Sequence, residues 1–453
     1  MRLGLLATVA AASFLTPFLG SSVNLALPSL QREFQVDAVL LGWVNTSLLL
    51  SSAALLLPFG RLADLKGRKK FFLVGLALLF SSTLFSSLSP SFPFFLSSRV
   101  FQGVGSAMVL STTVALLSSA FPEERGRVLG INTAAVYSGL LLGPFLGGIM
   151  TQSLGWRSLF FFSSLLSLSI LLLSLRLEEE AGSKGSFDLP SSLAYVVTLV
   201  LLIYGLSSLP SPLGFSSLFL GSLFLLLFLF LERIRKEPMI NPLLFRDNRV
   251  FLFSNLAALI NYSATYAVTF LLSLYLQHPR SLSAGEAGTV MMVQPLLQTL
   301  LSPLAGKWSD RVEPQLVASL GMGLTSLGLF SLIFLGGETP LLQVILSLSL
   351  LGLGFALFSS PNTNAVMSSV EREFYGVASA TLGTMRQVGQ TMSMGITTMV
   401  LSLSLGRKKL EPEVYPSFMD TARVLFLLFS LLCFLGIFFS LARGKVHSKD
   451  STP

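Results

Sequence analysis

Arg99 and Arg386 are the residues of this chain best placed to do chemistry, because each interrupts a long apolar run. A guanidinium there is a permanent cation with five N–H donors, suited to gripping an anionic or hydrogen-bonding group. Each has a glutamine within helical reach, Gln102 at i+3 and Gln390 at i+4, with Gln387 beside Arg386. The other polar groups inside apolar runs are amides and phenols: Asn24, Asn45, Asn132, Tyr137, Asn255, Asn261, Tyr262, Tyr266, Gln294, Gln298, Asn362 and Asn364. Buried amides in lipid are expensive unless paired, so most should face the interior of a helix bundle. Gln294 and Gln298 share a face and bracket Pro295, while Asn261, Tyr262 and Tyr266 form a polar-aromatic stripe. These are the candidates for lining a substrate cavity, together with Arg99, Gln102, Arg386 and Gln387. Catalysis has no comparable candidates. His278, His447 and Cys433 are scattered, and no Walker A sequence supports an ATP-driven pump. No catalytic residue, cofactor or metal site is expected.

The elements that must position these groups follow from composition. Of 453 residues, 52% are hydrophobic and 11% charged, against about 25% charged in soluble domains. Phe occurs 38 times. So few charges could not cover a soluble globule of this size. One cysteine excludes a disulfide scaffold and, with only two histidines, a zinc module. The chain reads as an all-α polytopic membrane protein. A crossing needs about 20 mostly apolar residues. Fourteen segments qualify, near 4–27, 39–59, 70–89, 93–119, 128–150, 158–176, 190–208, 213–231, 250–276, 284–305, 315–336, 340–360, 375–403 and 421–442. The first has an apolar run too long for a signal peptide and no clear small-x-small cleavage site, so it is expected to stay as a span. On this reading Arg99 lies ~9 Å inside the outer boundary and Arg386 ~16 Å from the inner end.

With the N-terminus inside, 21 of the 30 Lys and Arg fall in cytoplasmic segments and seven outside; Arg99 and Arg386 lie within spans. That asymmetry places both termini in the cytoplasm. The net charge of +8 is thus a topology signal, and no basic-aromatic stretch points to nucleic acid. The sequence also repeats itself. Gly60-Arg61-Leu62-Ala63-Asp64 is echoed by Gly306-Lys307-Trp308-Ser309-Asp310-Arg311, Gly103-x-Gly105 by Gly352-x-Gly354, and Arg125-Gly126 by Tyr375-Gly376, at offsets of 246, 249 and 250 residues. Three echoes in register imply two similar six-helix bundles, 1–177 and 249–443, separated by a two-helix insert with its loops, 178–248, and followed by a cytoplasmic tail, 444–453. Such duplication is typical of secondary transporters whose halves rock about a midplane site.

Several motifs sharpen this. Gly60 to Lys70 (GRLADLKGRKK), Arg99-Val100-Phe101-Gln102-Gly103-Val104-Gly105 and Gly139-x-x-x-Gly143-Pro144-x-x-Gly147-Gly148 resemble the loop, fourth-span and "antiporter" signatures of the major facilitator superfamily. Val23 to Pro28, Trp43 to Thr46, Pro242 to Arg246 and Arg386-Gln387-x-Gly389 resemble its fourteen-helix drug:H+ antiporter branch. The resemblance implies a transporter working by alternating access as a monomer. It makes Gly60, Asp64, Gly67, Arg68, Gly306, Asp310 and Arg311 an inner gate. Physically, Gly60 permits close helix approach and Asp64 suits a neighbouring helix N-terminus. Gly139, Gly143 and Gly147 lie on one face beside Pro144, fit for close packing; with Gly148 the resemblance makes them a hinge or seal.

One feature departs from that branch. Its first-span acid aligns with Leu19, and none of the 22 acids lies deep in a predicted span. Proton coupling would then fall to a peripheral acid such as Glu33, Asp37, Glu286 or Asp420. A cavity holding two arginines and no acid is neutral to positive, which favours neutral, amphipathic or anionic solutes. The expected function is efflux of hydrophobic or amphipathic organic compounds through a prokaryotic inner membrane, with proton antiport as one form of coupling. The alternative is uniport or exchange of an anionic metabolite or lipid. The expected partners are a small-molecule substrate, the lipid bilayer and, for antiport, protons.

Overall fold

The computed structural model describes residues 2–121, 123–176, 185–235, 239, 242–371 and 374–444. Lys184, Arg372, His447 and nearly all of the expected tail lie outside the described residues. Regular structure among those described is helical throughout: α1 (Arg2–Phe34), α2 (Ala38–Lys66), α3 (Arg68–Ser87), α4 (Phe92–Ala120), α5 (Arg125–Leu154), α6 (Trp156–Ser174), α7 (Leu189–Ser207), α8 (Pro212–Ile234) and α9 (Pro242–Asp247). The chain continues through α10 (Arg249–Thr265), α11 (Ala267–Gln277), α12 (Ala284–Met291), α13 (Val293–Ser309), α14 (Pro314–Leu332), α15 (Leu341–Ser368), α16 (Tyr375–Leu405) and α17 (Tyr415–Ala442).

Short side-chain caps start several of these helices. Asp37 Oδ1 accepts from Leu40 N at 2.8 Å, Asn248 Oδ1 from Phe251 N at 2.9 Å, and Ser283 with Glu286 forms a reciprocal capping box. Gly67, at φ +104°, makes the tight α2–α3 turn. Serine and threonine hydroxyls are tolerated in apolar helices because they donate to carbonyls one turn back, as Ser22 does to Phe18 O (2.7 Å).

Among the described residues twelve helical segments are long and apolar enough to cross a membrane, where the sequence led us to expect fourteen. The other two expected segments are helical too, but each has a reason to fall short. Residues 284–309, divided at Met292 into α12 and α13, carry Gln294, Gln298 and two prolines, and α16 carries Arg386, Gln387, Gln390 and many hydroxyls. A similar break at Tyr266 separates α10 from α11, and there Ser393 Oγ accepts the Ala267 N–H at 3.1 Å.

Helices α1–α6 pack into one group, with α1 on α5 and α4 on α2 and α3; α10–α17 form a second. Helices α7 and α8 pair with each other, and α7 leans on α2 and α16. Tyr195 donates to Ala53 O (3.0 Å) on α2, while Ile203, Leu206 and Ser207 surround Gly395 on α16. The start of α2 meets the end of α16 through Ala38 N to Lys408 O (3.5 Å), so both chain ends share the opposite face.

The two groups meet from mid-depth to the face away from the chain ends. Bonds that cross there include Asn24 Nδ2 to Thr269 Oγ1 (3.4 Å), Gln31 Nε2 to Leu410 O (3.3 Å) and Gly285 N to Gln152 Oε1 (3.0 Å). A crevice of about 720 Å³ lies on that far face, lined from both groups by Gln31, Arg32, Gln152, His278, Glu286 and Lys409 among others. Near the chain ends, Arg68 to Asp64 (2.7 Å) and Asn364 to Asp310 (3.1 Å) are bonds inside a group.

Candidate functional site

Five helices converge at mid-depth on one polar-aromatic cluster. Phe355, Ser359 and Thr363 recur every four residues and so share a face of α15. Arg386 on α16 donates from Nη2 to Thr363 Oγ1 (2.6 Å), and its guanidinium carbon lies 5.7 Å from the centre of the Tyr262 ring. Tyr262 of α10 meets Phe355 edge-on at 5.2 Å. Gln387 reaches into the other group, donating to Ser52 Oγ of α2 at 3.1 Å. Tyr137 of α5 closes the ring with its hydroxyl 3.4 Å from Ser359 Oγ. Thus Tyr137 and Ser52 from the first group face Ser359 and Gln387 from the second.

This cluster is not fully satisfied. Arg386 Nε and Gln387 Oε1 are buried without hydrogen-bond partners. No carboxylate pairs with Arg386 among the described residues. An intramembrane guanidinium costs at least ~2.5–3.5 kcal/mol. A single hydroxyl and one aromatic face offset part of that. Asn132 Oδ1 and Gln294 Oε1 are likewise buried and unpartnered, and Gln298, one turn on from Gln294 in α13, is buried.

Other residues expected at the cavity are held elsewhere. Arg99 is 0% exposed inside the first group, donating to Val44 O (3.0 Å) and Gln102 Oε1 (2.6 Å) beneath the Phe160 ring. Gln102 passes the network on to Ser86 Oγ (2.7 Å), so the pair ties α2, α3 and α4 together. Asn45 donates to Asn24 (2.7 Å), which bridges onward to Thr269. Asn261 is fully buried within the second group, its amide 3.9 Å from Cys433 Sγ. Tyr266 sits at the α10–α11 break.

Asn362 leads to a residue that sequence reasoning missed. Arg443, counted as a cytoplasmic flank, is 1% exposed and donates to Asn362 Oδ1 (3.1 Å), Ser254 Oγ (3.3 Å) and Ser440 O (2.8 Å), with Ser440 Oγ close by. Asn362 also donates to Ser254 O (3.1 Å). This hub fastens α10, α15 and α17 near the chain ends. Only its place at the end of an apolar run could have hinted at burial, and exposed positive-inside flanks look the same.

The glycine motif of α5 has two working faces. A Cβ on Gly139, Gly143 or Gly147 would collide with α1, at Phe18 N (3.1 Å), Phe18 O (2.9 Å) and Ser22 Cα (2.8 Å) respectively. These three seat α5 against a helix of its own group. Gly148 and Pro144 face the other group. A Cβ on Gly148 would fall 3.1 Å from the Ala284 carbonyl carbon and 3.2 Å from Gly285 Cα, closer still to Ala284 O, and one on Gly288 would collide with Pro144 O. Small residues therefore let α5 and α12 touch backbone to backbone across the far-face seam.

In the expected gate, Gly67 turns the chain so that Arg68 pairs with Asp64 at 2.7 Å, both partly exposed. Asp310 accepts from Asn364 on α15, while Arg311 is exposed. Gly306 approaches Ser360, whereas Gly60 has Ser111 Cβ no nearer than 3.8 Å from an added Cβ. Asp64–Arg68 and Asp310–Asn364 are each bonds within one group.

Comparison with known proteins agrees with this geometry. Residues 9–244 and 255–453 match the Major Facilitator Superfamily. The chain is 28% identical to the riboflavin transporter RibZ of Clostridioides difficile over 94% of its own length and 93% of that protein's. It is 32% identical to the multidrug resistance protein Stp of Mycobacterium tuberculosis, covering 86% and 74%. A lincomycin resistance protein of Streptomyces lincolnensis is 31% identical over 83% and 79%. Among solved structures, a POT peptide transporter in complex with alafosfalin superposes with a TM-score of 0.70 at 13% identity, covering 95% and 93%. Such relatives are transporters of small molecules and not enzymes. Twelve helices long and apolar enough to cross a membrane among the described residues, the paired helix groups and a family match along nearly the whole chain lead to one conclusion: this multi-pass membrane protein belongs to the Major Facilitator Superfamily.

Proposed function

We propose that this chain is a monomeric exporter of hydrophobic or amphipathic organic compounds in a prokaryotic inner membrane, working by alternating access. Residues 284–309 and 375–405 cross as well, giving fourteen spans with both termini in the cytoplasm. The halves are 1–177 and 249–443, with 178–248 as an insert against α2 and α16. On this reading the far face is the outer one, closed around Gly148, Pro144 and Gly288, and the state is inward-facing. On the same reading the Asp64–Arg68 pair and the Asp310–Arg311 corner are brought together when the inner face closes. Substrate is held by Arg386, Gln387, Tyr262 and Tyr137, with Asn132, Gln294 and Gln298 lining the approach.

The observation that carries this reading is the mid-depth cluster itself. It joins residues of both groups at a depth the far-face seam shuts off, and it leaves buried polar atoms without partners. Similarity to multidrug and lincomycin resistance proteins supports efflux of organic compounds, and similarity to a riboflavin transporter supports a polycyclic cargo. The test is export of a panel of amphipathic compounds by cells expressing the chain, with and without a collapsed pH gradient. Retention equal to that of cells without the protein, across the panel, would defeat the proposal. Loss of export on collapse would identify protons as the coupling ion.

A further inference from the structure

We infer that the mid-depth cluster takes planar aromatic organic anions, a substrate class that deepens the efflux reading and rests on it. Three observations converge. First, Arg386 is a cation with no carboxylate partner among the described residues, eleven residues into α16, or ~16 Å from its start. A positive substrate would meet that charge in a low-dielectric setting with nothing to balance it, while a negative one would neutralise it.

Second, the cluster holds a charged donor that nothing else uses. Nη2 is engaged by Thr363, but Nε is buried and unpartnered, leaving a charged N–H for a carboxylate or phenolate oxygen. The adjacent Gln387 Oε1 is also without a partner, its amide nitrogen being held by Ser52. An N–H or O–H beside the anionic group would satisfy it.

Third, the walls are rings. Arg386 lies over Tyr262, Phe355 meets Tyr262 edge-on, and Tyr137 reaches across from the other group. A flat aromatic body gains stacked or edge contacts there that a flexible alkyl chain does not. Charge at one end and a flat apolar body at the other describe one ligand class.

The test uses two xanthene dyes of similar shape and opposite charge, anionic fluorescein and cationic rhodamine 123. Binding to the purified full-length protein is read by fluorescence polarisation, and flux is read in proteoliposomes. The wild type should bind fluorescein at least about tenfold more tightly than rhodamine 123. Arg386→Gln should weaken fluorescein by about tenfold or more, as expected for one lost charge-assisted hydrogen bond, and leave rhodamine 123 within about twofold. Arg386→Lys should retain part of the preference. Equal or tighter binding of rhodamine 123 by the wild type overturns the inference without any variant. So does an equal loss for both dyes in Arg386→Gln with unchanged thermal unfolding, which would make Arg386 a scaffold residue. Flux of rhodamine 123 alone would refute the anion assignment and leave efflux standing. No flux of either dye, with fluorescein bound as expected, would count against efflux and in favour of the binding class.

Discussion

Replacing Gly148 by alanine should move this protein between its two states without unfolding it. The added Cβ would sit 3.1 Å from the Ala284 carbonyl carbon and 3.2 Å from Gly285 Cα, where ordinary contact begins at 3.4 Å, and deeper still into Ala284 O. These are backbone atoms, so no side chain can swing aside. Helices α5 and α12 would have to part by about 1 Å, and overpacking of this kind costs ~1–3 kcal/mol. The cost falls only on the state in which the far face is closed. At 1.36 kcal/mol per factor of ten, the open-to-closed ratio should rise about 5- to 150-fold. Spin labels at exposed Ser153 and Glu413, on either side of the far-face seam, would report it as a longer distance population by double electron–electron resonance. Cys433 is buried and stays unlabelled. Gly139→Ala is the matched control, since its Cβ strikes α1 inside the same group. It should lower the melting temperature and leave the distance ratio alone. An unchanged ratio in folded Gly148→Ala, or the same shift in Gly139→Ala, would refute the reasoning.

Two further outcomes follow from buried polar groups. Arg443→Met should destabilise the second group by ~1–3 kcal/mol, because Asn362 Oδ1 loses its donor in a dry site; relief of a buried cation offsets part of the lost bonds. Thermal unfolding in detergent measures it, and an unchanged melting temperature would show the hub contributes nothing. His278, in the turn at the far face, is held at about 4 by burial and, secondarily, by Arg32, against an ordinary 6.5. The folded protein thus keeps it neutral where the unfolded chain is protonated, so stability is full above pH ~6.5 and lost as pH falls towards 4. His278→Gln should flatten that acid slope in melting curves recorded across the window; a slope identical to wild type would exclude His278 as its source.

Membrane residence, the place of each apolar helix and the glycine and arginine motifs were legible in the sequence, although α1, α2 and α15 run seven or eight residues past their expected ends. Each depends on the solvent a segment can tolerate or on a local spacing, and both are one-dimensional properties. The two segments that miss the apolar standard were legible as helices, and their shortfall comes from residues the sequence displays openly, Gln294 and Gln298 in one and Arg386, Gln387 and Gln390 in the other. What the sequence could not assign is the direction a polar group faces. In a soluble helix the apolar stripe marks the inside, but here lipid and helix interfaces are both apolar, so the pattern is nearly uniform around each helix. Neighbours such as Asn261 and Tyr262 therefore looked alike, yet one is buried against Cys433 and the other stands beside Arg386. Arg99 and Arg386 looked equivalent too. Each keeps one buried guanidinium nitrogen without a partner, Arg99 Nη2 and Arg386 Nε, but packing enclosed Arg99 in a network of its own group and set Arg386 between the groups. Arg443 reversed expectation altogether, since a basic residue just past a span reads as a solvated flank until Ser254, Asn362 and Ser440 from three helices surround it. Only tertiary structure decides such cases, because the partners that make a buried charge tolerable lie tens to hundreds of residues away.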